Sequence, residues 1–126
     1  MKKVHFSVSL LLFVILSSCS TTPEIKGFSS EQWKSDREGC KGLRVQYADL
    51  ILESKDQLLG KGEQLILNLM GRPDKNELYR RQQKFYIYYI QPGPKCTAQP
   101  AQTDSAKYLS LKFNATGIVN EVFIYN

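Results

Sequence analysis

The hydrophobic pattern changes period once along the chain. Between residues 28 and 70 apolar positions recur every three or four residues. Between residues 78 and 125 they alternate. Phe28-Ser29-Ser30-Glu31-Gln32-Trp33 reads as a helix start, with Ser29 as cap, Gln32 completing a capping box and Phe28 stapled to Trp33. This helix is expected over residues 28–39, with Trp33 in the core. A second is expected over residues 43–58, with Leu43, Tyr47, Leu50, Ile51 and Leu58 on its buried stripe. Gly60 and Gly62 break the chain before a short helix over residues 63–70, which Gly71 caps and Pro73 prevents from resuming. Strands are expected over residues 78–81, 84–91, 107–113 and 118–125. In the second, Phe85, Ile87 and Tyr89 share one face and Tyr86, Tyr88 and Ile90 the other. Leu109, Leu111 and Phe113 point inward in the third, and Asn114-Ala115-Thr116-Gly117 turns it into the last. Residues 91–106, with Pro92, Gly93, Pro94 and Pro100, read as a loop. The order of elements predicts an α+β fold, with two or three N-terminal helices packed on one face of a three- to four-stranded antiparallel meander.

The first residues follow another logic. Lys2 and Lys3 precede an apolar run over residues 8–16. It falls short of the about 20 apolar residues that a membrane span needs, so it reads as an export signal. Its end, Leu16-Ser17-Ser18-Cys19, resembles the lipobox of bacterial lipoproteins. The resemblance implies that residues 1–18 are removed and that Cys19, diacylglyceryl-modified and acylated at its new amine, anchors the chain in a membrane. Residues 19–27 are then a polar tether carrying Pro23, and residues 28–126 form one domain. Ser20 stands where an aspartate would favour inner-membrane retention in enteric bacteria. The expected location is the outer membrane, with the domain facing the periplasm.

Charge adds little. The 126 residues hold 17 basic and 12 acidic side chains, a net +5 that falls by two when Lys2 and Lys3 leave with the signal. The basic residues are scattered among acids, so no nucleic-acid partner is expected. Histidine is more telling. The only one is His5, inside the signal. The exported domain therefore lacks histidine-based nucleophile systems and histidine metal sites, and with no Gly-rich phosphate loop it is read as a non-enzyme without cofactor or metal. Cys40 and Cys96 remain as an even pair in an oxidising compartment, and they are expected to form a disulfide. A bridge closing about 57 residues would contribute at most roughly 4 kcal/mol. Two buried free thiols are the alternative; no Cys-x-x-Cys redox motif is present.

One stretch resembles a known family. Leu59 to Asp74, ending Leu69-Met70-Gly71-Arg72-Pro73-Asp74, is similar to the short helix closed by Leu-Gly-x-Pro in the SmpA/OmlA (BamE-like) outer-membrane lipoproteins. The Phe85-Tyr86-Ile87-Tyr88-Tyr89 strand and the last hairpin match that family's sheet. The resemblance covers about residues 58–125. It implies a helices-on-sheet fold like that of β-lactamase-inhibitor-type domains, and an accessory role in the outer-membrane β-barrel assembly machine. The helix at residues 28–39, the Cys40/Cys96 pair and Met70 depart from the family pattern. The functional expectation is a lipid-anchored accessory subunit that binds an envelope protein; a periplasmic binding or inhibitor module is the alternative. Tyr86, Tyr88, Arg80 and Arg81 are the candidate partner-binding residues, because tyrosine and arginine dominate interface hot spots and a short edge strand can pair with a partner.

Overall fold

A computed structural model describes residues 21–96 and 106–126. The expected signal, the lipobox-like stretch with Cys19 and the middle of the proline-containing loop lie outside them. Three helices come first: α1 (Ser30–Ser35), α2 (Ala48–Glu53) and α3 (Glu63–Met70). Four strands follow: β1 (Lys75–Leu78), β2 (Lys84–Tyr89), β3 (Tyr108–Phe113) and β4 (Val119–Tyr125). They pair antiparallel in the order β1-β2-β3-β4. The chain is thus an α+β meander, as its periodicity predicts.

Local chemistry explains where the elements stop. Ser29 caps α1 by accepting from the Gln32 amide at 3.3 Å, and the Phe28 and Trp33 rings meet at 5.7 Å. The Gln32 side chain does not close the capping box. Its carbonyl oxygen instead accepts from the Tyr47 hydroxyl and the Gln46 amide. The helix ends four residues earlier than its expected limit, because Asp36 leaves helical geometry and Glu38 and Gly39 take positive φ. Glycine is required at 39: a Cβ there would lie 2.6 Å from the Gln91 carbonyl oxygen. The second expected helix is broken into a 3-10 turn (Arg44–Tyr47), α2 and a further turn (Lys55–Gln57). Gly71, at φ 74, ends α3 and donates to the Leu67 carbonyl at 2.9 Å.

The first strand is displaced from its expected position. It occupies Lys75–Leu78, while Arg80–Gln82 form a tight turn. Lys-Asn-Glu-Leu has no β-preference of its own; pairing of Lys75 with Ile87 and of Glu77 with Phe85 recruits it. At the other hairpin, the Asn114 side-chain oxygen accepts from the amides of Thr116 and Ile118, each at 3.0 Å, so the expected turn forms.

Register decides which residues become core. Tyr86 pairs with Leu111 and Tyr88 with Leu109, so these four share the face beneath the helices with Phe113 and Val119. Trp33, Ile51, Leu58, Ile66 and Met70 meet them from the helical layer. Each fully buried side chain of this size contributes about 1.5–3 kcal/mol.

A polar seam ties the residue 36–44 segment to the sheet. Asp36 is buried and accepts from the amides of Lys41 (2.7 Å), Leu43 (2.7 Å) and Arg44 (3.0 Å). The Arg44 side chain is wholly buried between the rings of Trp33 and Tyr88, with its guanidinium carbon 4.8 and 5.8 Å from their centres. It donates to the Trp33 carbonyl (3.0 Å), the Tyr89 carbonyl (3.1 Å) and Asp74 (2.6 Å). Asp74 also accepts from the amides of Glu38 and Tyr89. Beside this seam Cys40 and Cys96 form the expected disulfide, with Cα atoms 5.5 Å apart. The Glu38 carbonyl accepts from the Gly93 amide at 2.8 Å, fastening the same two segments again.

Candidate interaction face

Helices cover one side of the sheet, and among the described residues nothing covers the other. Alternation along each strand places three rows of side chains there. Glu77, Phe85, Lys112 and Glu121 form the first; Lys75, Ile87, Ser110 and Phe123 the second; Tyr89, Tyr108 and Tyr125 the third. An open antiparallel sheet normally carries polar residues on its solvent side. This one carries aromatic rings.

Six rings make a continuous series. Tyr79, just after β1, meets Phe85 edge-on at 5.8 Å, and Phe85 meets Phe123 at 6.3 Å. Phe123 meets Tyr125 at 4.8 Å, Tyr125 meets Tyr108 at 5.1 Å, and Tyr108 meets Tyr89 at 6.2 Å. The path runs obliquely from the β1–β2 turn to β4 and returns along the far end. Four of the five contacts are edge-to-face, the geometry that ring quadrupoles favour, which leaves slots between rings instead of a flat platform. Glu77, Phe85, Phe123, Tyr108 and Tyr125 surround a depression of about 130 Å³ floored by Ile87 and Ser110. Burial raises the Tyr89 and Tyr108 hydroxyls above their ordinary pKa of 10.0, so both stay neutral at physiological pH.

The β1–β2 turn forms one corner of this face. Leu78 is 83 % exposed and Tyr79 56 % exposed, and both arginines after them are exposed. Arg81 and Gln82 lie at φ 56 and φ 59, in the left-handed region that glycine or asparagine usually fills in two-residue hairpin turns. The Gln83 amide closes the turn on the Arg80 carbonyl at 3.3 Å.

The structure divides the sequence-derived candidates. Arg80 and Arg81 stand at this exposed corner. Tyr86 and Tyr88 do not lie on a surface: they are 6 % and 0 % exposed and face the helices. The Tyr86 hydroxyl donates to Glu63 at 2.8 Å, and that of Tyr88 to the Gly71 carbonyl at 2.8 Å. Burial first, and then the Glu63 bond, pushes the Tyr86 hydroxyl up to about 12. The expectation that these two tyrosines meet a partner is therefore corrected: both are core residues, and the rings on the opposite side of the sheet are Phe85, Tyr89, Tyr108, Phe123 and Tyr125. Apolar alternation on both faces of β2 signals that two surfaces exist; cross-strand register tells them apart, and a single strand does not carry it. Cys19 lies outside the described residues.

Among the described residues no three histidine, cysteine or carboxylate side chains gather as a metal ion would need, and no helix is long and apolar enough to cross a membrane. No family model, curated protein or solved structure matches this chain.

Proposed function

We propose that this chain is a lipid-anchored lipoprotein of the bacterial envelope, non-catalytic, whose domain binds a partner protein through the open face of its sheet. The observation that carries the reading is the six-ring aromatic series on a sheet face that none of the described residues covers. Large contiguous apolar patches on soluble domains mark interaction sites, and tyrosine is enriched where such sites are energetically decisive. The depression in that face, about 130 Å³, is smaller than the roughly 300–1,000 Å³ of small-molecule pockets, which favours a side chain of a protein over a free ligand. Anchorage at Cys19 and an outer-membrane, periplasm-facing location rest on the lipobox resemblance. The family resemblance makes the β-barrel assembly machine the first partner to test.

The test is recovery of partners from native membranes in mild detergent through a C-terminal tag, comparing the natural chain with Phe123→Ser and Tyr125→Ser. Specific recovery of an envelope protein, lost in both variants while the domain stays folded, is the expected result. Recovery unaffected by either substitution overturns the assignment of this face. Absence of the barrel-assembly core from the recovered material separates the domain from that machine.

A further inference from the structure

The charge around the open face is unbalanced in a way that points to the chemistry of its occupant. Both carboxylates in the first row are already paired within the sheet: Glu77 with Lys75, and Glu121 with Lys112 at 2.9 Å. Arg80 and Arg81, in contrast, are exposed at the corner beside Tyr79 and make no ion pair among the described residues. The uncompensated charge at this corner is positive, and it adjoins the start of the aromatic path. The turn that presents it is conformationally costly. Non-glycine residues in left-handed geometry cost roughly 1–2 kcal/mol each, and Arg81 and Gln82 both adopt it. The turn sets the two arginines next to each other at the exposed corner.

Resting on the docking face proposed above, we infer that the partner presents an acidic segment bearing an apolar side chain. Its carboxylates meet Arg80 and Arg81, and its apolar side chain enters the depression over Ile87 and Ser110. Arginine suits this role because its planar fork donates two parallel hydrogen bonds to a carboxylate. Ser110 is buried at the floor and carries only a small side chain. The floor is therefore small and accommodating, and Phe85 and Phe123 supply the walls. An anionic lipid surface fits less well. A flat headgroup layer would leave the depression unfilled, and two cations contribute only about 1 kcal/mol each at such a surface.

The experiment uses the full chain purified in mild detergent and three probes. These are a fluorescent peptide with a Leu-Phe pair flanked by Asp and Glu, the same peptide with Asn and Gln in place of the acids, and phosphatidylglycerol vesicles. The acidic peptide is expected to bind about tenfold more tightly than its neutral counterpart. That preference should vanish in the Arg80→Gln, Arg81→Gln double variant and at about 0.5 M salt, whereas Phe123→Ser weakens both peptides. Equal affinities, no binding by either peptide, or binding of the vesicles alone overturns the inference. Membrane partner recovery separates its failure from that of the docking face. If Phe123→Ser abolishes recovery and the arginine variant leaves it intact, the face stands and the acidic segment falls; if neither substitution matters, both fall.

Discussion

Arg44 donates to Asp74 at 2.6 Å with both side chains fully withdrawn from solvent. The pair joins the first half of the chain to the sheet at a point where neither charge has water to fall back on. Replacing Asp74 by alanine leaves a buried guanidinium without its counter-charge and the Glu38 and Tyr89 amides without an acceptor, and it is expected to destabilise the domain by about 3–5 kcal/mol. Arg44→Met combined with Asp74→Asn leaves no charge behind and should cost less than Asp74→Ala alone. Urea unfolding of the three proteins, with the disulfide intact, measures the difference.

The disulfide reinforces the same seam. Its residues are separated by 56 positions, so its loss enlarges the unfolded ensemble without touching the packed face. Cys40→Ser with Cys96→Ser should lower stability by about 2–4 kcal/mol. The circular-dichroism spectrum should remain that of the folded domain, because the Asp36, Arg44 and Asp74 bonds persist. A spectrum of an unfolded chain for the double variant would show that the polar seam is insufficient.

Acid should weaken the domain partly through Glu63. Partial burial acts to raise its pKa, but hydrogen bonds from Lys84 (2.5 Å) and Tyr86 (2.8 Å) prevail and hold it below the ordinary 4.5. A depressed folded-state value means that the contribution is complete above 4.5 and disappears as pH falls through the lower, folded value. Glu63→Gln should therefore flatten the fall in urea midpoint across that acidic window. An unchanged profile in this variant would exclude the Glu63 contribution.

The two faces of the sheet should respond unequally to truncation. Tyr88→Ser removes a wholly buried ring and the bond to the Gly71 carbonyl, a loss of about 3–5 kcal/mol. Tyr125→Ser, on a side chain 48 % exposed, should cost at most about 1 kcal/mol. Thermal melts of the two variants separate them. Equal destabilisation would mean that the outer aromatic row is part of the core.

These contrasts show what a one-dimensional pattern conveys. Helical spacing marked α3 to its last residue, because Glu63 to Met70 is bounded by residues whose backbone chemistry is local: Gly62, Gly71 and Pro73. Inward placement of Leu109, Leu111 and Phe113 was legible for the same reason, as each alternates with a more polar neighbour. Tyr86 and Tyr88 were not assignable, since Phe85, Ile87 and Tyr89 are equally apolar and the choice rests on pairing with β3. Arg44 was hidden more deeply. Arginine is rarely fully buried, and its partners Asp36 and Asp74 lie 8 and 30 positions away. β1 was misplaced because Lys-Asn-Glu-Leu becomes a strand through its neighbour and not through its own composition. At the candidate site, Arg80 and Arg81 were found by residue type, whereas the aromatic path required the register of all four strands.

The seam between residues 36–44 and residues 89–96 also sets a timetable. Its contacts join parts of the chain that synthesis separates by dozens of residues, among them Gly93 with Glu38 and Tyr89 with Arg44. Such distant closures lose chain entropy before they return any packing, and this slows folding relative to a helical domain of equal length. Until Asp74 and Tyr89 are in place, Arg44 has only the Trp33 carbonyl as a side-chain partner and its charge is uncompensated. The N-terminal half must therefore wait for the C-terminal half, exposed to chaperones and proteases during that interval.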